Sequence, residues 1–289
     1  MKPSYVPWLL FIILCLIWGS SFLLMKIGLE QLTAFEVGAL RIVSAGIVLL
    51  PFALKAFQKI SKQKWVIIGI SGLLGSFFPA FLFCIAETKI SSALTSMLNA
   101  LTPLCTVIIG SIFFKTHATK QQFVGIILGL IGLYFLVAPD GSLSMNELRY
   151  TSLVMLATIF YALNVHLVRK QMIGFMPIDI AAIAFTFLLI PSILILAYNG
   201  YFNNNFTEVT FLKSTVAASV LGIAGTAVAS VLFYKLVKIA GALFASMVTY
   251  GIPFIAVIWG VIYDETITIL QLFCLGIILI GVSIVNKKK

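Results

Sequence analysis

Apolar residues in this chain do not alternate with polar ones; they come in continuous runs of about twenty, divided by short polar connections. A run of that size suits a helix crossing about 30 Å of hydrocarbon. Ten such runs are predicted as spanning helices, at residues 7–30, 36–56, 65–87, 90–114, 121–138, 150–170, 178–198, 213–237, 240–263 and 268–285. A β-barrel would need segments of about ten residues that alternate in polarity, and these do not. The ten runs leave only connections and two tails, with no room for a soluble catalytic domain. The fold class expected is an all-α integral membrane protein.

Composition gives the same answer. Of 289 residues 61% are hydrophobic and 10% charged, with mean hydropathy +1.14. Soluble domains carry about 25% charged residues, so soluble enzymes, disulfide scaffolds and disordered chains are excluded. Cys15, Cys84, Cys105 and Cys274 all lie in apolar runs without CxxC spacing, and only His117 and His166 could join them. They are expected to be small buried hydrophobes, with no metal and no cofactor. Residues 8–17 resemble a signal-peptide core, yet no small-x-small site follows, so a first spanning helix is expected.

The net charge of +10 resolves into an orientation signal rather than a nucleic-acid footprint. Fourteen of the nineteen basic residues fall on one side: Lys2, Lys55, Lys59, Lys62, Lys64, Lys115, Lys120, Arg169, Lys170, Lys235, Lys238, Lys287, Lys288 and Lys289. Opposite them are Lys89, Arg149 and Lys213 with Glu30, Glu36, Glu87, Asp140, Glu147, Glu208, Asp264 and Glu265. The positive-inside rule then puts both termini in the cytoplasm of a multi-pass inner (plasma) membrane protein.

Sliding the chain on itself by 150 positions pairs spans three to five with spans eight to ten. Ser96/Ser246, Met97/Met247, Pro103/Pro253, Gly110/Gly260 and Gln121/Gln271 match, and these residue types weigh more than apolar coincidences. An odd number of spans per repeat inverts the second copy, and the matching connections do reverse in charge, Lys115 against Glu265 among them. Two inverted five-helix repeats, 1–140 and 141–289, are therefore expected, an arrangement typical of secondary transporters with a site near the midplane.

The stretch WGSSFLLMKIG at 18–28, Arg41, SSALTSMLNALTPL at 91–104 and GALFASMVTYGIPF at 241–254 resemble the EamA family of the drug/metabolite transporter superfamily. The resemblance implies a ten-helix inner-membrane carrier of small metabolites, its cavity formed mainly by spans one, three, four, six, eight and nine. The second-half counterpart of WGSSF is weaker, YALNV at 161–165.

Ionisable groups inside spans are costly and so are candidates for function. Lys26 and Arg41 lie toward the outer ends of adjacent spans. Two readings stand: attraction of an anionic group, or snorkelling and pairing with Glu30 or Glu36. His166 is either a proton-coupling group or a neutral, hydrogen-bonded helix histidine. No carboxylate is expected near the middle of a span, unlike the small multidrug exporters related by resemblance. That favours a zwitterionic, anionic or neutral substrate, provided that Lys26 and Arg41 are not tied to local acids. Thr95 and Asn99 precede Pro103, and Thr249 and Tyr250 precede Pro253. These polar groups beside a prolyl hinge suit a substrate site, or else bond their own helices. Trp18, Tyr161 and Asn164 join them from matching positions of spans one and six. Gly125 and Gly129 read as close helix packing, with homodimer formation through the fifth span as the second option.

The function expected is secondary transport of small, amino-acid-like or other solutes by alternating access, outward rather than inward. A drug efflux carrier is the alternative within the family. An intramembrane lipid-processing enzyme lacks the clustered acids, bases or ligands it would need; a channel lacks a filter loop; an ATP-driven pump lacks a GxxxxGK[ST] motif.

Overall fold

The computed structural model describes residues 5–114, 119–137, 145–172, 174–246 and 248–286, excepting the side chains of Asn146, Tyr234, Val237, Lys238, 241–246 and Asn286. Lys2, Lys115, His117, Asp140, Met247, Lys287, Lys288 and Lys289, and the side chains of Lys238 and Ser246, lie outside that description.

Among the described residues the chain is helical throughout and contains no strand. The apolar runs form α1 (Val6–Gly28), α2 (Ala34–Lys59), α3 (Lys62–Glu87), α4 (Ser92–Phe113), α5 (Lys120–Val137), α6 (Met145–Gln171), α7 (Pro177–Tyr198), α8 (209–246), α9 (Val248–Ile262) and α10 (Ile269–Asn286). Among the described residues eight helices are long and apolar enough to cross a membrane, while α9 and α10 are shorter apolar helices. Large apolar side chains such as Leu9, Ile12, Ile112, Phe113, Ile190 and Phe273 stand exposed around the bundle, as lipid-facing positions do.

Local chemistry explains the ends. Pro7 opens α1, where its missing N–H costs nothing. Thr33 and Glu36 form a reciprocal capping box at α2: Glu36 N–H donates to Thr33 Oγ1 at 3.2 Å and Thr33 N–H to Glu36 Oε2 at 2.8 Å. Thr119 with Gln122 opens α5 in the same way, and Thr268 with Gln271 opens α10.

One expected boundary fails. Residues 238 and 239 are not a connection: the helix from Ala229 continues to Ser246. No Gly or Pro interrupts 229–240, and Ala, Leu and Lys favour helix, so nothing stops the chain before Gly241.

Three helices depart from regular α geometry. A π segment occupies Leu73–Phe77 within α3 and another Leu221–Val228 within α8. In α4 the helix stops at Asn99 and restarts at Thr102, because Pro103 cannot donate to the preceding turn. Thr102 Oγ1 closes the gap by donating to the Asn99 carbonyl at 2.7 Å. Around Pro253, by contrast, α9 is unbroken.

The helices pack in crossed pairs: α2 on α7, α5 on α10, α1 on α9 and α8, and α6 on α4 and α3. The α5–α10 seam is built on small residues. A Cβ at Gly125 would meet the Gly281 carbonyl oxygen, and one at Gly281 the Gly125 carbonyl. Gly129 is filled by Leu104 of α4. The glycine face of the fifth span therefore packs within the chain.

Connections 29–33, 88–91, 199–208 and 263–268 gather at one end, called here the acidic end for Glu30, Glu36, Glu87, Glu208, Asp264 and Glu265. The opposite, basic end carries Lys55, Lys59, Lys62, Lys64, Lys120, Arg169 and Lys170. Its acid, Asp179, is buried and faces Lys59 at 3.4 Å.

Candidate functional site

Polar side chains collect in three places along the bundle. At the acidic end, Lys26 on the last turn of α1 donates to Glu265 Oε1 at 2.9 Å. Glu265 lies in the α9–α10 connection and takes three further donors from the start of α4: Ser92 N–H at 3.0 Å, Ser92 Oγ at 2.8 Å and Ala93 N–H at 3.1 Å. A carboxylate there also complements the positive end of the helix dipole. Burial pushes the Glu265 carboxyl upward, but Lys26, Ser92 and Ala93 outweigh it and hold the group below its ordinary range.

Beside this pair is a cavity of about 280 Å³ lined by Lys26, Glu87, Ile90, Ser91, Ser92, Asp264, Glu265 and Thr266. Glu87, the last residue of α3, turns both carboxyl oxygens away from solvent, and neither accepts a hydrogen bond.

The second group lies where α1, α2, α6 and α8 meet. Arg41 Nε donates to Thr226 Oγ1 at 2.8 Å, and Tyr161 lies within electrostatic reach of its guanidinium. Trp18 Nε1 donates to the Gly225 carbonyl at 2.9 Å, and its ring packs on Phe233 at 5.3 Å. Both Gly225 and Thr226 belong to the π segment of α8, whose widened turn offers groups that an α-helix keeps to itself.

The third group lies closer to the basic end, beside the π segment of α3. Ser71 Oγ donates to Asn164 Oδ1 at 2.6 Å, and a cavity of about 80 Å³ opens between Ser71, Gly75, Ser76, Asn164, Phe185 and Ser230. Gly75 lies against the Asn164 amide, which an added Cβ would push aside.

The remaining candidates turn toward their own helices or a neighbour. Thr95 is fully buried and donates to the Ser91 carbonyl at 2.9 Å. Asn99 Oδ1 accepts from Thr102 at 3.2 Å. Tyr250 donates to the Val282 carbonyl of α10 at 3.0 Å, and Thr249 beside it is half-buried. His166 Nε2 stands 2.9 Å from the Thr106 carbonyl, which can only accept, and its ring stacks on Phe114 at 4.6 Å. That is the arrangement of a histidine linking two helices.

Two expectations need correction. Lys26 pairs with Glu265 and not with Glu30 or Glu36; Glu30 is held by Lys213 at 3.0 Å and Glu36 by the α2 cap. Because Lys26 is tied to an acid, the excess positive charge inferred for the spans reduces to Arg41. Glu87, Glu265, Ser71, Thr226 and Ser230 were missed as site residues. Glu87 and Glu265 read as connection acids, and the available signal was a lysine two residues before a helix end with acids at the same membrane depth.

An all-α bundle with an apolar exterior and buried polar clusters, eight of its described helices long and apolar enough to cross a membrane, has the architecture of an integral membrane protein. The chain belongs to the EamA-like transporter family, whose pattern matches twice, at residues 6–138 and 148–287. It is 26% identical to the uncharacterized inner membrane transporter YedA of Escherichia coli over 96% of this chain and 89% of that one. A WAT1-related chloroplastic protein of Arabidopsis thaliana is 25% identical over 99% of this chain and 70% of its own. A probable amino-acid metabolite efflux pump of Salmonella typhimurium is 25% identical over 44% of this chain and 41% of its own. One solved crystal structure shares the fold with TM-score 0.63 at 17% identity, covering 96% of this chain and 94% of that one.

Proposed function

We propose that the protein moves small amino-acid-like or other zwitterionic, anionic or neutral solutes outward across the inner membrane by alternating access, with ten spans in two inverted repeats, 1–140 and 141–289. The observation that carries this reading is the symmetry of the packing. Exchanging each helix for its counterpart five helices away turns α1–α9 into α6–α4, α1–α8 into α6–α3 and α2–α8 into α7–α3, and all of these pairs occur. The two π segments also correspond, Leu73–Phe77 falling within Leu221–Val228 after a shift of 150. In the last helix of each half the matching capping boxes, Thr119/Gln122 and Thr268/Gln271, shift the register to 149. The seam contact of Gly125 with Gly281 then mirrors that of Gly132 with Cys274.

Such a frame has two equivalent ways to open. The acidic-end cavity and the basic-end cavity lie on opposite sides of the Trp18, Arg41, Tyr161 and Thr226 layer; the Lys26–Glu265 pair lines the first, and Lys59 pairs with Asp179 at the basic end of the bundle. A solute would bind in that layer, where Arg41 offers a charged donor and Trp18 and Tyr161 offer ring faces. The charge of Arg41 disfavours organic cations, and the name of the Salmonella relative supports amino-acid-like cargo. Both termini would be cytoplasmic, because the basic end holds the N-terminus of α1 and the C-terminus of α10.

The test is a release and uptake screen with a metabolite mixture in proteoliposomes, read by mass spectrometry. Protein-dependent flux of one solute class, lost in Arg41→Gln and Trp18→Ala, is expected. Flux that both variants retain would move the site elsewhere, and flux of organic cations alone would overturn the substrate class.

A further inference from the structure

Glu87 is the one acid at the acidic end whose buried oxygens lack any hydrogen-bond donor among the described residues. The neighbouring acids are provided for: Glu265 has four donors, Glu36 sits in a cap and Glu30 faces Lys213. Glu87 instead lines the 280 Å³ cavity together with Lys26, Asp264 and Glu265. A carboxylate shut from water without a donor is strongly disfavoured, whereas a neutral carboxyl is tolerated in the same place.

The titratable groups that share the cavity with Glu87 are Lys26 from α1 and Glu265 and Asp264 from the α9–α10 connection; Arg41 of α2 and Cys84 of its own helix lie within electrostatic range. Tyr161 of α6 lies one step further, against Arg41 and Cys84, and α4 contributes only the hydroxyls of Ser91 and Ser92. Two of these neighbours are cations. Arg41 is engaged with Thr226 in the bundle interior, while Lys26 ends a flexible stem whose side chain is 38% exposed, so Lys26 is the cation that can change partners.

We propose that Glu87 is a proton-binding site entered from the acidic end, and that loss of its proton draws Lys26 away from Glu265 and unlocks that end of the transporter. Loading is a simple protonation, carboxylate plus proton giving carboxyl. With the proton on Glu87, Lys26 has one anionic partner and holds α1 to the α9–α10 connection and the start of α4. With the proton gone, two carboxylates compete for one ammonium across the cavity. Departure of Lys26 frees the connection from α1. The proton site stands on the geometry alone; its use as a gate rests on the alternating-access reading given above.

Two substrate-free measurements on the full chain in lipid vesicles test it. Infrared difference spectra are recorded as pH is stepped upward, following the carbonyl stretch of a protonated carboxyl. One such band should disappear with rising pH in the wild type and in Glu265→Gln, and be missing from Glu87→Gln. Absence of a titrating band in the wild type, or its survival in Glu87→Gln, overturns the proton site. Should Glu87→Gln fail to assemble, Glu87→Asp must shift the band, and an unshifted band overturns the proposal equally.

The gate is read by a membrane-impermeant maleimide on Ile90→Cys, a position lining the cavity; the four native cysteines are buried. Labelling is read as its ratio to that of the exposed Asn204→Cys at the same pH, which cancels the ordinary rise in thiolate; this ratio should rise by up to about tenfold per pH unit while Glu87 titrates, and stay flat when Glu87→Gln is added. A ratio that ignores pH, or that follows it equally in both proteins, overturns the gate. Failure of the solute screen with both of these results positive would remove the transport reading and leave the proton site standing.

Discussion

Lys26 of α1 and Glu265 of the α9–α10 connection, 239 positions apart, meet at 2.9 Å and close the acidic end of the bundle. The carboxylate is buried, with 4% of its side chain exposed against 38% for the lysine, so the bond is lopsided in solvation. Most of its worth comes from the backbone and hydroxyl donors of α4 that share Glu265.

Glu265→Gln keeps the shape and removes the charge. It should destabilise the folded protein by roughly 1–2 kcal/mol at neutral pH, seen as a lower midpoint of thermal unfolding in detergent. The sign of the pH dependence follows from the lowered carboxyl. The stabilisation is full above the ordinary value of 4.5 and is lost as pH falls through the lower folded value. Wild-type stability should therefore drop more steeply than that of Glu265→Gln in that acid window; parallel curves would contradict the assignment.

Gly222 of α8 packs on backbone: an added Cβ would collide with the Arg41 carbonyl oxygen and lie 3.0 Å from its carbon. Backbone cannot step aside as a side-chain tip can. Gly222→Ala should cost about 1–3 kcal/mol and disturb the Arg41 layer. At Gly276 of α10 a Cβ meets nothing within 4 Å, so Gly276→Ala should stabilise by about 0.5–1 kcal/mol through helix propensity. Thermal unfolding of the two variants side by side checks both signs.

His166 donates to a carbonyl and stacks on Phe114, so it holds α6 to α4. In the solute-flux assay, His166→Gln should keep the pH dependence of the wild type with a modest loss of stability. A flattened pH profile in this variant would restore His166 as a proton carrier.

Orientation is open to single-cysteine labelling. Gln58 near the basic end and Asn204 at the acidic end are both exposed. Gln58→Cys should react only after the cytoplasmic side is made accessible, and Asn204→Cys from outside in intact cells. The reverse pattern would invert the topology.

The sequence exposed most of the frame because spans are a local matter. Length, apolarity and flanking charge are properties of one run at a time, and the predicted connections at 31–35, 88–89 and 199–212 agree with helix ends within a few residues. The stop expected near 238–239 failed because two lysines were read as a connection, although lysine is a good helix former and no breaker accompanies it. Pro103 did mark a break, while the equivalent Pro253 did not, since neighbouring packing rather than the proline alone decides whether the freed carbonyl opens the helix.

Candidate residues split along the same line. Trp18, Arg41, Tyr161 and Asn164 were legible as polar or aromatic side chains in apolar runs, and all four lie in the two inner clusters. Thr95 and Tyr250 satisfy themselves on backbone carbonyls, which composition cannot foretell.

What the sequence determined by itself is the solvent, the number and rough limits of the apolar runs, the charge asymmetry and the internal repeat, because each is written in one segment or in the comparison of two. Which charges meet was decided only by the tertiary structure. Lys26 has nearer acids in the chain than Glu265, and Glu87 looks no different in sequence from Glu30, yet one pair forms and one carboxyl is left without a donor. In a low-dielectric interior, distance and donor geometry set the energy of a charge, and both are properties of the packed bundle.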